Sequence, residues 1–542
     1  MKKIKLLIIL ILIFAITSCR AYPNYTPNET TYLLDDGTKV LKKEILFKNY
    51  STVYPNKGNE KRYLDTYFFD GSVIPYVSIG DYISMVDFFD NDKIVKKGYT
   101  YTYSPNNYPK KIEVNPEDDT LTMYDYEFYS IDEAEYNSGR SYYSNLDMKF
   151  EETTYGNKKI IDLSDYYLRI KEAFNKALIP FHVVNAIFAM NSYYYTFYLG
   201  NEYRGTSYED GNVSCYDYTN GITLTDEYLA YNYDFISFTF NELYGLKDYY
   251  GYDINKMLRD KMFSKRLNKN EYLTGFHEFI ESLEDCHTGL WYSSDFFTIS
   301  SYADNSNRYK EIKKVYSDVS DAKYEAAQNN PIFSEQSDDL AYLNDEIAYI
   351  RFDEFNIEGR FSPLRLNEYL LKCKKKGIKD VIFDVSLNGG GDTFALTYIL
   401  GMMTNDDIII RNRNVITKHI YDEVVKVDVN GDGDFNDNDA YDNFNYYILS
   451  SGFSYSCANE FISYCKDNNL ATILGQKSGG GACSIYPLVT PTGALLQVSS
   501  LDAFYDKNGN LVEDGVDVDY ILPYDKFYDS TYMINLINNI NN

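Results

Sequence analysis

The sequence predicts an α/β fold for the second half of the chain and a β-rich α+β region before it. Three observations carry this. From Glu346 onward, short apolar runs alternate with segments whose apolar residues recur at helical spacing, the pattern of a sheet with parallel pairs. Residues 225–289 read as a block of helices. Residues 20–224 form a β-rich accessory region, and up to about residue 165 it is Tyr-rich, with short alternating segments between Asn, Asp, Gly and Pro turns.

A chain of 542 residues, 44% hydrophobic and 24% charged, is long enough for two or three domains with full cores. Its formal net charge is −28 and it holds no basic stripe, so nucleic acid and anionic lipid headgroups are not expected partners. Residues 1–19 read as an export signal. Met1 to Lys5 is basic, Leu6 to Ile16 is apolar but too short to span a bilayer, and Thr17-Ser18-Cys19 follows. This end resembles a bacterial lipoprotein box. The resemblance implies cleavage before Cys19, lipidation of its thiol, and a mature protein anchored to the membrane at the extracytoplasmic side of the cell envelope. No other run of 18 apolar residues follows, so the expected attachment is a lipid tether and not a membrane span.

Within the accessory region two stretches echo each other. Val73-Ile74-Pro75-Tyr76 precedes Ile79, Tyr82 and Ile83, and Leu178-Ile179-Pro180-Phe181 precedes Val184, Ile187 and Phe188. Each predicts a strand feeding a short amphipathic helix with Pro at its start, a packing unit rather than a chemical one. In the helical block, Tyr228 to Tyr244 is apolar and aromatic, and Tyr272, Leu273, Phe276, Phe279, Ile280 and Leu283 form a stripe. That second helix delivers Asp285-Cys286-His287-Thr288. The chain has 4 His and no His-Glu-x-x-His pair, which disfavours a zinc protease. His287 by itself reads better as a buried structural histidine at a helix exit than as a base.

From Glu346 the elements follow in turn. Ile347 to Phe352 is a strand, Leu364 to Lys376 is a helix stopped by Gly377, and Val381 to Val385 is a strand buried on both faces. Asn388-Gly389-Gly390-Gly391-Asp392 is a turn before an apolar helix, Thr393 to Met403. With no Lys-Ser/Thr after the glycines, their amides suit a transient oxyanion better than a polyphosphate. Residues 428–439 have calcium-loop spacing: Asp428, Asn430, Asp432, Asp434 and Asp439 offer oxygens, with Gly433 at the sharp turn. The loop resembles a dockerin-type site, and a structural calcium is expected to stiffen it; the plain alternative is a solvated acidic hairpin. Tyr446 to Leu449 is a strand, and Cys457 to Lys466 is a helix. Ser456, where strand breaks into helix, is placed either as a nucleophile beside free helix N–H groups or as an ordinary N-cap. Cys457 and Cys483 flank this turn and are one candidate bridge, since an exported protein can hold disulfides.

Together these motifs are similar to the C-terminal-processing peptidase family, whose clan includes the tricorn protease core and the retinoid-binding repeats of photoreceptors. They are Asp285-Cys286-His287-Thr288, Ala348 to Phe352, Val381 to Val385 with Asn388 to Gly391, Ser456 to Phe461, Ile473-Leu474-Gly475 before Ser478 to Gly481, and Val512 to Val516 with Asp519. The resemblance implies a peptidase domain over 225–530 with a helical block (225–289) and a crotonase-like core (346–530). A Ser/Lys dyad would put lysine after the glycines, where Gly481 and Ala482 stand; Lys477 precedes them. The tricorn-like scheme instead implies Ser456 as nucleophile, His287 as base and Glu513 as the carboxylate that orients it, with an oxyanion hole from the amides of Gly389, Gly390 and Cys457 and no catalytic cofactor. Ser454 is the fallback nucleophile. Cys286 and Val518 depart from the family pattern, and the 57 residues from Leu290 to Glu346 are too few and irregular for an embedded PDZ domain. The function implied is a lipid-anchored serine endopeptidase acting on polypeptides. The alternative is a catalytically retired peptidase fold serving as a surface binding module.

Overall fold

The computed structural model describes residues 27–51, 62–86, 93–104, 111–124, 146–154, 156–207, 222–262, 269–292, 306–334, 338–436 and 439–542. The signal segment and Cys19 lie outside them, as do Cys215, Asp437 and Asn438. Among the described residues no helix is long and apolar enough to cross a membrane.

The chain is a mixed α/β protein with a β-rich N-terminal region. An eight-stranded sheet gathers residues 28–207, with the strand Lys39–Asn49 at its centre. The two echoing stretches meet inside it, since Ile179 pairs with Val77 and Pro180 with Tyr76. Their helices, Ile79–Val86 and Phe181–Ser192, bury the residues the periodicity picks out, and Tyr82 Oη donates to Asn185 Oδ1 at 3.1 Å. Pro180 serves as the N-cap position, one residue earlier than expected. A five-stranded antiparallel meander over residues 93–162 completes this region.

The predicted helical block forms as Asp226–Glu242, Lys247–Tyr250, Ile254–Met262 and Lys269–Glu281. Asp226–Glu242 starts on a Thr225 side-chain cap and is buried on most sides, with Asn232, Asp234, Ser237 and Thr239 buried among its apolar and aromatic residues. One hydrophobic core runs from the N-terminal sheet through this block to the strands Cys483–Val489 and Leu495–Phe504. Residues outside the resemblance also complete a sheet of the C-terminal half, because Leu146–Thr154 pairs antiparallel with Ile420–Val427.

The α/β half centres on a six-stranded sheet ordered Leu340–Tyr342, Ile347–Arg351, Asp380–Asp384, Asn445–Ser450, Ala471–Gly475, Tyr520–Ile521. Every pair after the first is parallel. The strands Ile347–Arg351 and Asp380–Asp384 are buried at every position, which is why they read as continuous apolar runs without alternation. Between them runs Pro363–Lys376, capped by Ser362, carrying Lys374, Lys375 and Lys376 in its last turn and ended by Gly377 at φ 80°. Residues 306–334, irregular in sequence, hold a 23-residue helix, Asn307–Asn329. The C-terminal ends of the parallel strands open onto the turns at 385–392 and 451–456, where open α/β sheets place their ligands.

Candidate active site

Ser456 ends the turn leaving strand Asn445–Ser450 and stands at the head of helix Cys457–Asp467. That turn is pinned on both sides. Ser451 Oγ donates to the Ser386 carbonyl (2.5 Å), Tyr455 N–H to the Asn388 carbonyl (3.1 Å) and Ser456 N–H to the Gly480 carbonyl (2.9 Å). The clamp holds Ser456 at φ 56°, ψ −126°, a backbone conformation natural to glycine and strained for serine. Although Ser456 is the N-cap residue, its hydroxyl caps nothing. It lies over Gly390, where an added Cβ would come 2.6 Å from Ser456 Cβ and 3.1 Å from its Oγ. Ser454, by contrast, is fully buried: its hydroxyl donates to the Val385 carbonyl (2.7 Å) and accepts from Ser451 N–H (3.0 Å).

The three amides expected to form the oxyanion hole differ in availability. Those of Gly389 and Cys457 make no hydrogen bond among the described residues, and the second belongs to the first turn of a helix, where N–H groups lack internal acceptors. Gly390 N–H instead donates to Asn388 Oδ1 at 2.8 Å. In this arrangement Gly390 supplies space for the serine rather than a donor.

His287 leaves helix Lys269–Glu281 on a turn organised by Asp285. That carboxylate accepts from the His287 N–H (2.9 Å) and from the hydroxyls of Thr288 (2.6 Å), Ser499 (2.8 Å) and Tyr244 (3.2 Å). The imidazole is 7% exposed and meets the Tyr455 ring edge-on, centroids 4.8 Å apart. Its Nδ1 is buried and has no hydrogen-bond partner among the described residues. Burial holds the imidazole well below its ordinary pKa, opposed by Asp285 and reinforced by Arg308.

Glu513 is completely buried. Its Oε1 lies 3.1 Å from the Arg308 guanidinium and accepts from Tyr250 Oη at 3.2 Å; its Oε2 accepts from Ala482 N–H at 2.8 Å. Burial raises its pKa to about 7, Asp285 adds to the rise and Arg308 opposes it. No hydrogen bond joins the His287 ring to Ser456 or to Glu513. Tyr455, the neighbour of Ser456 in sequence, is in ring contact with His287, and the Arg308 guanidinium that pairs with Glu513 lies 5.8 Å over its face. Its ring fits against Gly481, where a Cβ would lie 2.5 Å from it.

A family model described as peptidase family S41 matches residues 346–522. This stretch of the chain belongs to family S41. No curated protein matches the chain. Among solved structures, the chain is similar to a candidate peptidase from Parabacteroides merdae ATCC 43184 at 19% identity and TM-score 0.43, covering 57% of this chain and 96% of that one. It is similar to mature CPAF complexed with lactacystin at 13% identity and TM-score 0.40, covering 57% and 97%. It is also similar to the tricorn protease at 11% identity and TM-score 0.35, covering 94% and 60%. The S41 stretch carries Gly389, Gly390, Ser456, Cys457 and Glu513, whereas His287, Tyr250 and Arg308 come from outside it.

Sequence reasoning missed Arg308 and Tyr455. Arg308 sits in a segment with no motif, and only the fold carries the first turn of Asn307–Asn329 to the S41 core. Tyr455 is one of 59 tyrosines and had no signal of its own. Lys477 is exposed, and Cys457 and Cys483 are free thiols, so the candidate bridge between them is not formed; Cys457 Sγ instead donates to the Gly391 carbonyl at 3.0 Å.

In the 428–439 loop the end carboxylates are wrapped by backbone amides. Asp428 accepts from the N–H groups of Gly431 (2.7 Å), Asp432 (3.2 Å) and Gly433 (2.9 Å), and Asp439 from those of Val429 (3.0 Å), Asn430 (3.2 Å) and Asn436 (2.9 Å). Among the described residues no three His, Cys, Asp or Glu side chains converge as a metal would require. Closing such a loop on a cation would draw in Asn430, Asp432 and Asp434 beside these two.

Proposed function

We propose that the protein is an exported, lipid-anchored serine endopeptidase in which Ser456 attacks a peptide carbonyl, His287 takes the serine proton and Glu513 stabilises the resulting imidazolium. The observation that carries this reading is Ser456 itself. Its backbone is strained at φ 56°, its hydroxyl serves no cap, and the amides of Gly389 and Cys457 make no hydrogen bond among the described residues. Strain of this kind persists where function fixes it. A hydroxyl is a poor nucleophile until a neighbouring base accepts its proton, and a neutral imidazole, which burial favours for His287, is the form that can do so. The amides would then receive the oxyanion at the helix N-terminus, an effect typically worth roughly 10²–10³-fold. Family S41 suggests a polypeptide substrate, and the export and lipid anchor rest on residues 1–19 with Cys19.

The rival reading, a peptidase fold that binds without cutting, draws on the missing hydrogen bond between His287 and Ser456. Catalytic bonds are often long before substrate arrives, so that gap is compatible with either reading. A fluorophosphonate probe separates them. Wild type should be labelled covalently and Ser456→Ala should not; equal labelling of the two removes Ser456 as nucleophile, and no labelling of either favours the binder.

A further inference from the structure

Segments far apart in sequence meet on one arginine. Arg308 is 17% exposed and lies in the first turn of helix Asn307–Asn329. Its guanidinium lies 3.1 Å from Glu513 Oε1, donates to the Glu513 carbonyl (3.2 Å), the Gly479 carbonyl (3.4 Å) and Tyr250 Oη, and covers the Tyr455 ring. The backbone of the same turn is tied to the histidine turn. Arg308 N–H donates to Glu284 Oε2 (2.8 Å) and Asn307 Nδ2 to Glu284 Oε1 (2.9 Å), three residues before His287. Gly480, next to Gly479, accepts the Ser456 N–H.

We infer that Arg308 is a positioning residue of this site, the tie that holds the Glu513 carboxylate, the His287 turn and the Gly479–Gly481 loop in one arrangement. The inference rests on the serine-peptidase reading and adds to it a residue outside the S41 stretch. Arg308 touches no reacting atom; it acts through Glu513 and His287. Its chemistry suits the task, since a planar fork can serve a carboxylate, two carbonyls and a phenol at once, which an ammonium cannot.

The guanidinium also sets the charge state of both partners. The charged and titratable groups around Glu513 are Arg308, Asp285, Tyr250, Tyr455 and Cys483, and Arg308 is the one cation of fixed charge among them. A buried carboxylate without a counter-charge takes up a proton, and a protonated Glu513 cannot stabilise an imidazolium. The same positive charge disfavours protonation of His287. Loss of Arg308 therefore moves both groups toward their incompetent forms, and both displace the acid limb of activity upward.

The test compares wild type, Arg308→Gln and Arg308→Lys by the pH dependence of their fluorophosphonate labelling rate. Arg308→Gln should label at least about tenfold more slowly at pH 7, with its acid limb about one pH unit or more higher and its rate recovering at alkaline pH. Arg308→Lys, which keeps the charge and loses the fork, should keep the wild-type limb at a reduced rate. A Gln limb coincident with wild type, or a Lys limb displaced as far as the Gln limb, overturns the inference. If the Gln variant does not fold, a Lys limb displaced upward from wild type by about one pH unit or more overturns the inference by itself.

Melting curves give a readout independent of probe. An unfolded chain releases the Glu513 proton near pH 4.5 and the folded chain near 7, so rising pH across that window weakens the fold. Without Arg308 the folded group keeps its proton to higher pH, so the melting gap between wild type and Arg308→Gln should widen from pH 6 to pH 9. A constant gap refutes the charge role. Wild type that takes no probe would sink the peptidase reading, and the melting gap would then decide on Arg308 by itself.

Discussion

Replacing the strained serine by glycine should stabilise the protein while abolishing its proposed chemistry. At φ 56°, ψ −126° a residue with a Cβ carries strain of order 1–3 kcal/mol, which glycine does not feel. Glycine in turn loses more chain entropy on folding, about 0.5–1 kcal/mol. Ser456→Gly sacrifices no cap, because the Ser456 hydroxyl makes no capping bond. The balance is a gain of about 1 kcal/mol, or roughly 2–4 °C in melting temperature for the cooperative unit concerned. Ser456→Ala keeps a Cβ and hence the strain, so it should melt close to wild type. Calorimetry on the three proteins at one pH isolates the backbone term, since both variants lack the hydroxyl. If Ser456→Gly melts no higher than Ser456→Ala, the turn stores no strain and the argument for an imposed nucleophile geometry fails.

Two further outcomes are expected. Gly390→Ala places a methyl 2.6 Å from Ser456 Cβ and 2.9 Å from the Tyr455 carbonyl at a φ of +111°, so the serine turn must shift. Probe labelling should fall by about 10²-fold or more with a stability cost of about 2–4 kcal/mol in urea unfolding, and wild-type labelling by this variant would show the contact to be wrong. For the acidic loop we propose a structural calcium held by Asp428, Asn430, Asp432, Asp434 and Asp439. EGTA should then lower the melting temperature of wild type but not of Asp432→Ala, and a melt unmoved by EGTA retires the metal.

Much of the α/β half was legible because its signals are local. The helix Thr393–Met403 has its predicted bounds, with the Asp392 side chain capping it. Gly377 ends Pro363–Lys376 because a left-handed residue must stand there. The 307–329 helix was not legible, since its buried face is narrow and its sequence is mostly charged and polar. Within the site, the neighbours of Ser456 and the glycine turn could be placed from strand–turn–helix order. The partners of Glu513 could not, because Tyr250, Arg308 and Ala482 are brought to it by contacts 31 to 263 residues away.

The sequence by itself determined the alternation of strands and helices, the apolar strands that had to be buried on both faces, and the break in the chain where Ser456 stands. These follow from periodicity, propensity and turn chemistry acting over a few residues. Only the tertiary structure decided that Ser456 is held strained between Asn388 and Gly480, that Gly390 N–H is already bonded, and that Glu513 lies against Arg308 rather than His287. Those outcomes depend on which distant segments share a buried space, and a buried charge takes the counter-charge that folding brings within reach.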